Sequence, residues 1–106
     1  AAITGEETHG KVLLTTANQV RDPEALHGKI VVGQGGCIAF VTIPDGGKPL
    51  PLIAPEGSRY DGRNQVSIDG KTYRFGELLD LQGAAERVDD YEFADRCGQE
   101  VIHITP

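Results

Sequence analysis

The sequence predicts a mostly β chain, folded as a small OB-like or related antiparallel β-barrel with one short helix or helical loop. Three observations predict it. Six to eight short runs are rich in β-branched and aliphatic residues, each bounded by Gly, Pro, Asn or Asp. Fourteen glycines and six prolines in 106 residues supply turns for that many strands. Helical spacing beyond one turn occurs only at residues 84–97. A barrel of five or six strands fits this length, and a chain of this size buries roughly two-thirds of its unfolded surface. We therefore expect one domain at 11–106, preceded by a flexible tail at 1–10, where the residues are mainly polar.

The elements follow in order. KVLLTT at 11–16 reads as a β run. RDPEALHG at 21–28 reads as one helical turn, with Asp22 as N-cap, Pro23 at the first helical position and Gly28 as the stop. KIVVG at 29–33 is a strand. GQGG at 33–36 makes the turn to CIAFVTI at 37–43, a continuously apolar and therefore central strand. PDGGKP at 44–49 is a turn by composition. LPLIAP at 50–55 is apolar but interrupted by proline, which predicts an edge or bulged strand.

EGSRYDGRN at 56–64 is a polar loop. QVSIDGKTYRF at 65–75 is the clearest local signal: Val66 and Ile68 alternate with polar residues, and Asp69-Gly70 predicts a tight type I′ hairpin. GELLDLQG at 76–83 is a strand with a bend at Gly76. In residues 84–97, Ala84, Ala85, Val88 and Tyr91 have helical spacing, but Asp89-Asp90 is a poor helix centre; helix and irregular loop both remain open, with helix favoured. EVIHIT at 100–105 alternates as a last strand, with Val101 and His103 on one face and Ile102 and Ile104 on the other.

Several chemistries are excluded. Gly33 and Gly35 match the start of a dinucleotide fingerprint, but Ile38 stands at the third glycine and a β run follows where a helix is needed. No Gly-Lys-Ser/Thr exists for a Walker loop. Cys37 heads the most apolar run, where burial makes a thiol inert. Ser58 lacks the nucleophile-elbow context and Ser67 alternates outward on a hairpin strand. His9, His27 and His103 do not follow metal-ligand spacing, and neither DGRN at 61–64 nor DDYE at 89–92 follows that of a calcium loop. No catalytic residue, metal ligand or cofactor is expected. The net charge of −6, with the basic residues scattered, argues against nucleic acid; an oligonucleotide-binding surface would have to use Tyr60 and Tyr73 with Arg59, Arg63 and Arg74. The longest apolar runs are near eight residues, too short to span a membrane.

Cys37 and Cys97 are the only cysteines, and they read as a disulfide in preference to two buried thiols. The bond would close a loop of about 60 residues, worth on the order of 4 kcal/mol. The absence of Met, the Ala-Ala start and the loop-rich composition predict a processed, exported chain, extracellular or attached to the cell envelope, with a lipid anchor upstream as one means of attachment.

GGCIAFV, PLIAPEGSRYDG, VSIDGKTYRFGELLDLQG and CGQEVIHI together resemble the layout of small secreted or lipoprotein β-domains of actinobacteria and related bacteria, whose function is unassigned. The resemblance covers 28–106 and implies pairing of Cys37 with Cys97. Ala54 stands where those domains carry a tryptophan. Two functional expectations result. The first is a non-catalytic domain binding a protein or envelope component, with Leu52, Arg59, Tyr60 and Arg63 as its candidate surface, because rigid apolar segments beside Tyr and Arg favour interfaces. The second is a small enzyme or accessory subunit using cleft carboxylates or His103.

Overall fold

The structure, a computed structural model, describes residues 3–43 and 47–105. Ten strands occur among them: β1 (Ile3–Thr8), β2 (Lys11–Thr16), β3 (Glu24–Val32), β4 (Ile38–Thr42), β5 (Leu50–Pro55), β6 (Arg59–Tyr60), β7 (Gln65–Ile68), β8 (Lys71–Arg74), β9 (Leu79–Arg87) and β10 (Glu100–Thr105). A 3-10 turn at Gln34–Gly36 and one short helix, α1 (Ala94–Cys97), complete the elements. The order β5-β10-β9-β3-β4 returns to β5 and closes a five-stranded barrel. The β5–β10 pair is parallel, while the other four barrel pairings are antiparallel. β2 joins the free length of β5 in parallel, and β1 pairs outside β2.

The expected turn at GQGG links β3 to β4. The Gly33 amide donates to the Cys37 carbonyl at 2.8 Å, and Gly35 and Gly36 take φ of +66° and +80°. The Asp69-Gly70 hairpin also forms, with both residues at positive φ. Val66 and Ile68 are fully buried, because the β6-β7-β8 sheet directs them into the main core.

Five local expectations are corrected. Residues 3–8 are no loose tail but strand β1, paired through six register positions with β2. The signal was the two-residue turn His9-Gly10, both at positive φ; polar side chains suit an edge strand open to solvent. Residues 21–28 form no helical turn. Asp22 takes φ of +49°, and Glu24 is already paired with Gly83 of β9, so sheet pairing overrides the capping pattern. Gly28 is no helix stop: a Cβ there would overlap the Val41 carbonyl of β4.

LPLIAP is no edge strand, for β5 has partners on both sides. Its prolines fall at ladder breaks: Pro51 where the partner changes from β4 to β2, Pro55 at the end, where the Thr16 carbonyl takes the Glu56 amide instead. In 84–97 only Ala94–Cys97 is helical, and Ala84 and Ala85 pair with His103 and Ile102 inside β9. Within the expected loop 56–64, Arg59–Tyr60 forms strand β6 on β7. The predicted turn at 44–49 lies partly outside the described residues.

Two apolar clusters result. The larger fills the barrel with Ile30, Ile38, Phe40, Leu52, Leu81, Ile102 and Ile104, together with Leu13, Val66 and Ile68. The second lies on the outer face, where Val12, Leu14, Ile53 and Val101 are covered by Tyr91, Ala94 and Cys97 of segment 88–98. Cys37 and Cys97 are bonded, with Cα atoms 5.6 Å apart and both residues buried, so the cover is fastened to the start of β4. Arg96 adds a polar clamp: its Nε donates to the Gly35 carbonyl at 2.7 Å, and its Nη2 to Glu7 at 3.1 Å and to the Gly10 carbonyl at 3.2 Å.

Candidate functional site

The residues singled out from the sequence do not form one surface. Leu52 is wholly buried in the barrel and cannot contact a partner, because β5 is an interior strand. Tyr60 shares the inward face of its sheet with Val66 and Tyr73, stacks on Phe75 with centroids 5.7 Å apart, and donates its hydroxyl to the Arg63 carbonyl at 2.8 Å. Burial and the nearby Asp61 charge hold the Tyr60 hydroxyl above its usual pKa. The rings that a stacking platform would need therefore pack against the barrel.

Arg59 and Arg63 are exposed. Arg63 sits in a turn organised by Asp61, whose Oδ1 accepts the amides of Arg63 at 2.7 Å and Gln65 at 3.1 Å. The Arg63 amide is the leading cause of the lowered Asp61 pKa, so this carboxylate orders a loop. Arg59 borders a cavity of about 480 Å³ with Thr4, Glu6 and Thr15.

His103 lies elsewhere. The outer face of β5-β10-β9 is only partly covered by segment 88–98. The uncovered part is a groove of about 810 Å³. Its floor includes Ile53, Ala84 and His103, on neighbouring strands in register. One wall is the loop from β2 to β3, with Asn18, Gln19, Val20 and Arg21; the other contains Val88 and Asp90. The small side chain of Ala84 leaves the space open, and Gly83 lets β9 approach the His103 carbonyl where any Cβ would overlap it.

His103 is 8% exposed, which places its ring at the floor. Its Nδ1 lies 3.8 Å from Glu86 Oε1, beyond a direct hydrogen bond. Burial lowers the His103 pKa, and the Glu86 charge and a backbone hydrogen bond with Asn18 only partly oppose that. The imidazole is thus neutral at pH 7 and keeps one nitrogen able to accept a proton or a hydrogen bond. Thr16 Oγ1 is occupied by the Asn18 amide at 3.2 Å. Arg21, Glu86 and Asp90 bring charge to the rim.

Sequence alternation found His103 but missed the groove. The other lining residues are distant in sequence, and only the small Ala84 within a strand hinted at an opening. Among the described residues, no three His, Cys, Asp or Glu side chains converge as a metal ion would require. Compared with protein-family models, with curated proteins and with solved structures, the chain matches none of them.

Proposed function

We propose that the chain is an exported, non-catalytic β-barrel domain that binds a protein or cell-envelope component in the groove over His103. The carrying observation is the groove itself. Its volume of about 810 Å³ lies in the range of ligand sites, and polar groups from three separate segments converge in it. The floor belongs to a closed, disulfide-fastened scaffold, so the site is held in shape without a ligand. A buried disulfide supports export, since such bonds persist in oxidising compartments. No described helix is long and apolar enough to cross a membrane. We further read the barrel as OB-like, by analogy with other small five-stranded barrels that bind ligands on an outer face.

The test is amide mapping by NMR with two probes: muropeptides and a purified mixture of solubilised envelope proteins. Saturable shifts at Asn18–Arg21, Glu86, Asp90 and His103 are expected from at least one probe. Shifts confined to the opposite side of the barrel, or none with either, would overturn the reading.

A second reading is favoured by the His103–Glu86 geometry. A neutral imidazole held by its backbone hydrogen bond with Asn18, with a carboxylate 3.8 Å away, could serve as a general base. On that reading His103→Gln abolishes turnover of a bound ligand while binding persists; on the first, bound muropeptide is recovered chemically unchanged.

A further inference from the structure

We propose that Asp69 is a site of spontaneous covalent modification, at which the Asp69-Gly70 pair closes to a cyclic imide and reopens as isoaspartate, loosening the hairpin it caps. The pair forms the exposed tip of the β7–β8 hairpin, where Ile68 faces Lys71 in register. Both residues have positive φ, of +51° and +79°.

The chemistry needs only water. The Gly70 amide nitrogen attacks the carboxyl carbon of Asp69 in its protonated form. A C–N bond forms, the carboxyl C–O bond breaks, and the amide proton leaves with the hydroxyl as water. Water then adds back to the imide. Opening at the side-chain carbonyl restores aspartate. Opening at the backbone carbonyl leaves the chain running through the side chain, as isoaspartate. Nothing is oxidised or reduced, and the mass is unchanged.

Geometry separates this pair from Asp61-Gly62. Among the described residues, the Asp69 carboxyl enters no hydrogen bond or ion pair, and the Gly70 amide donates to no carbonyl. Nothing lies within 4 Å of where a Gly70 Cβ would stand, so the nitrogen is open to the side chain. At Asp61, by contrast, Oδ1 is committed to the amides of Arg63 and Gln65 at 2.7 and 3.1 Å. Those bonds hold it ionised, and a carboxylate is a poor electrophile. The His9 ring also packs against Gly62, where a Cβ would overlap it. A third pair, Asp45-Gly46, lies outside the described residues.

Isoaspartate adds one methylene to the backbone of a two-residue turn, and that turn sets the β7–β8 register. Val66 and Ile68 of β7 are fully buried in the main core, so the change reaches the packing of the β6-β7-β8 sheet on the barrel.

The experiment incubates the folded protein in mildly acidic heavy-oxygen water, where each imide hydrolysis leaves one labelled oxygen. Trypsin puts the two pairs on separate peptides, 60–63 and 64–71, and fragmentation assigns the label to its residue. Asp69 should gain label and isoaspartate about ten-fold faster than Asp61, the factor that one charge-assisted hydrogen bond is worth. In the reduced, urea-unfolded chain the two rates should converge. Asp69→Glu should abolish label at residue 69, because a six-membered imide closes far more slowly. The isoaspartate form, separated by ion exchange, should melt below fresh protein. Equal rates at Asp61 and Asp69 in the folded protein, or label at Asp69 only after unfolding, would overturn the site. An unchanged melt of the isoaspartate form would overturn the loosening of the hairpin.

Discussion

Replacing Cys37 and Cys97 together by alanine tests how the second apolar cluster is held. The bond spans 60 positions in sequence. Closing such a loop in the unfolded chain costs about 14 cal/mol/K of entropy, or about 4 kcal/mol at room temperature. For 106 residues the unfolding entropy near the midpoint is about 220 cal/mol/K, so the variant should melt about 20 °C lower. Alanine is preferred to serine, since both sulfurs are buried and a hydroxyl left there without a partner would add about 1–3 kcal/mol of its own. The loss should be spatially uneven. Segment 88–98 covers Val12, Leu14, Ile53 and Val101 and is fastened by this bond, so its amides should lose hydrogen-exchange protection first. The barrel strands should lose protection only as far as global stability falls, and far-ultraviolet circular dichroism at room temperature should not change. Calorimetry and hydrogen exchange on the double variant measure both effects. A fall in midpoint under about 5 °C would refute the loop-entropy argument; collapse of the strand signal would refute the separation of barrel from cover.

Three further outcomes are expected. Gly70→Val should lower stability by about 1 kcal/mol or more in a denaturant melt, from backbone strain alone, because no atom lies near the added Cβ and φ is +79°. Gly5→Val should cost about 1–3 kcal/mol, since even a Cβ there overlaps the Phe93 ring that lies over β1; an unchanged melt would show that Phe93 moves freely. For His103, the folded-state pKa lies below the ordinary 6.5, so as pH falls the unfolded chain takes the proton first. Its contribution is fully present above that ordinary value and is lost as pH falls from there to the folded pKa. Comparing melts across this window, His103→Gln should remove that part of the slope, and identical slopes would refute the assignment.

Local β character was legible in the residue order alone. Asp69-Gly70 sets a hairpin through its positive φ values, GQGG sets another, and the alternation in EVIHIT separates Ile102 and Ile104 from His103. These are short-range properties of backbone and side-chain period. The same local rules misplaced Asp22-Pro23 as a helix start and the prolines of β5 as an edge signal. In both places, partners distant in sequence decided the outcome: β9 drew Glu24 into a ladder, and β2 and β4 shared one edge of β5 around Pro51. Leu52 could not be read as interior without knowing that β5 closes the barrel. The groove depended still more on tertiary structure. Its floor brings Ile53, Ala84 and His103 side by side, and its walls come from 17–23 and 88–90. A cavity is space left between segments, and no local pattern encodes that space before the barrel has closed and the disulfide has fixed how far the cover extends.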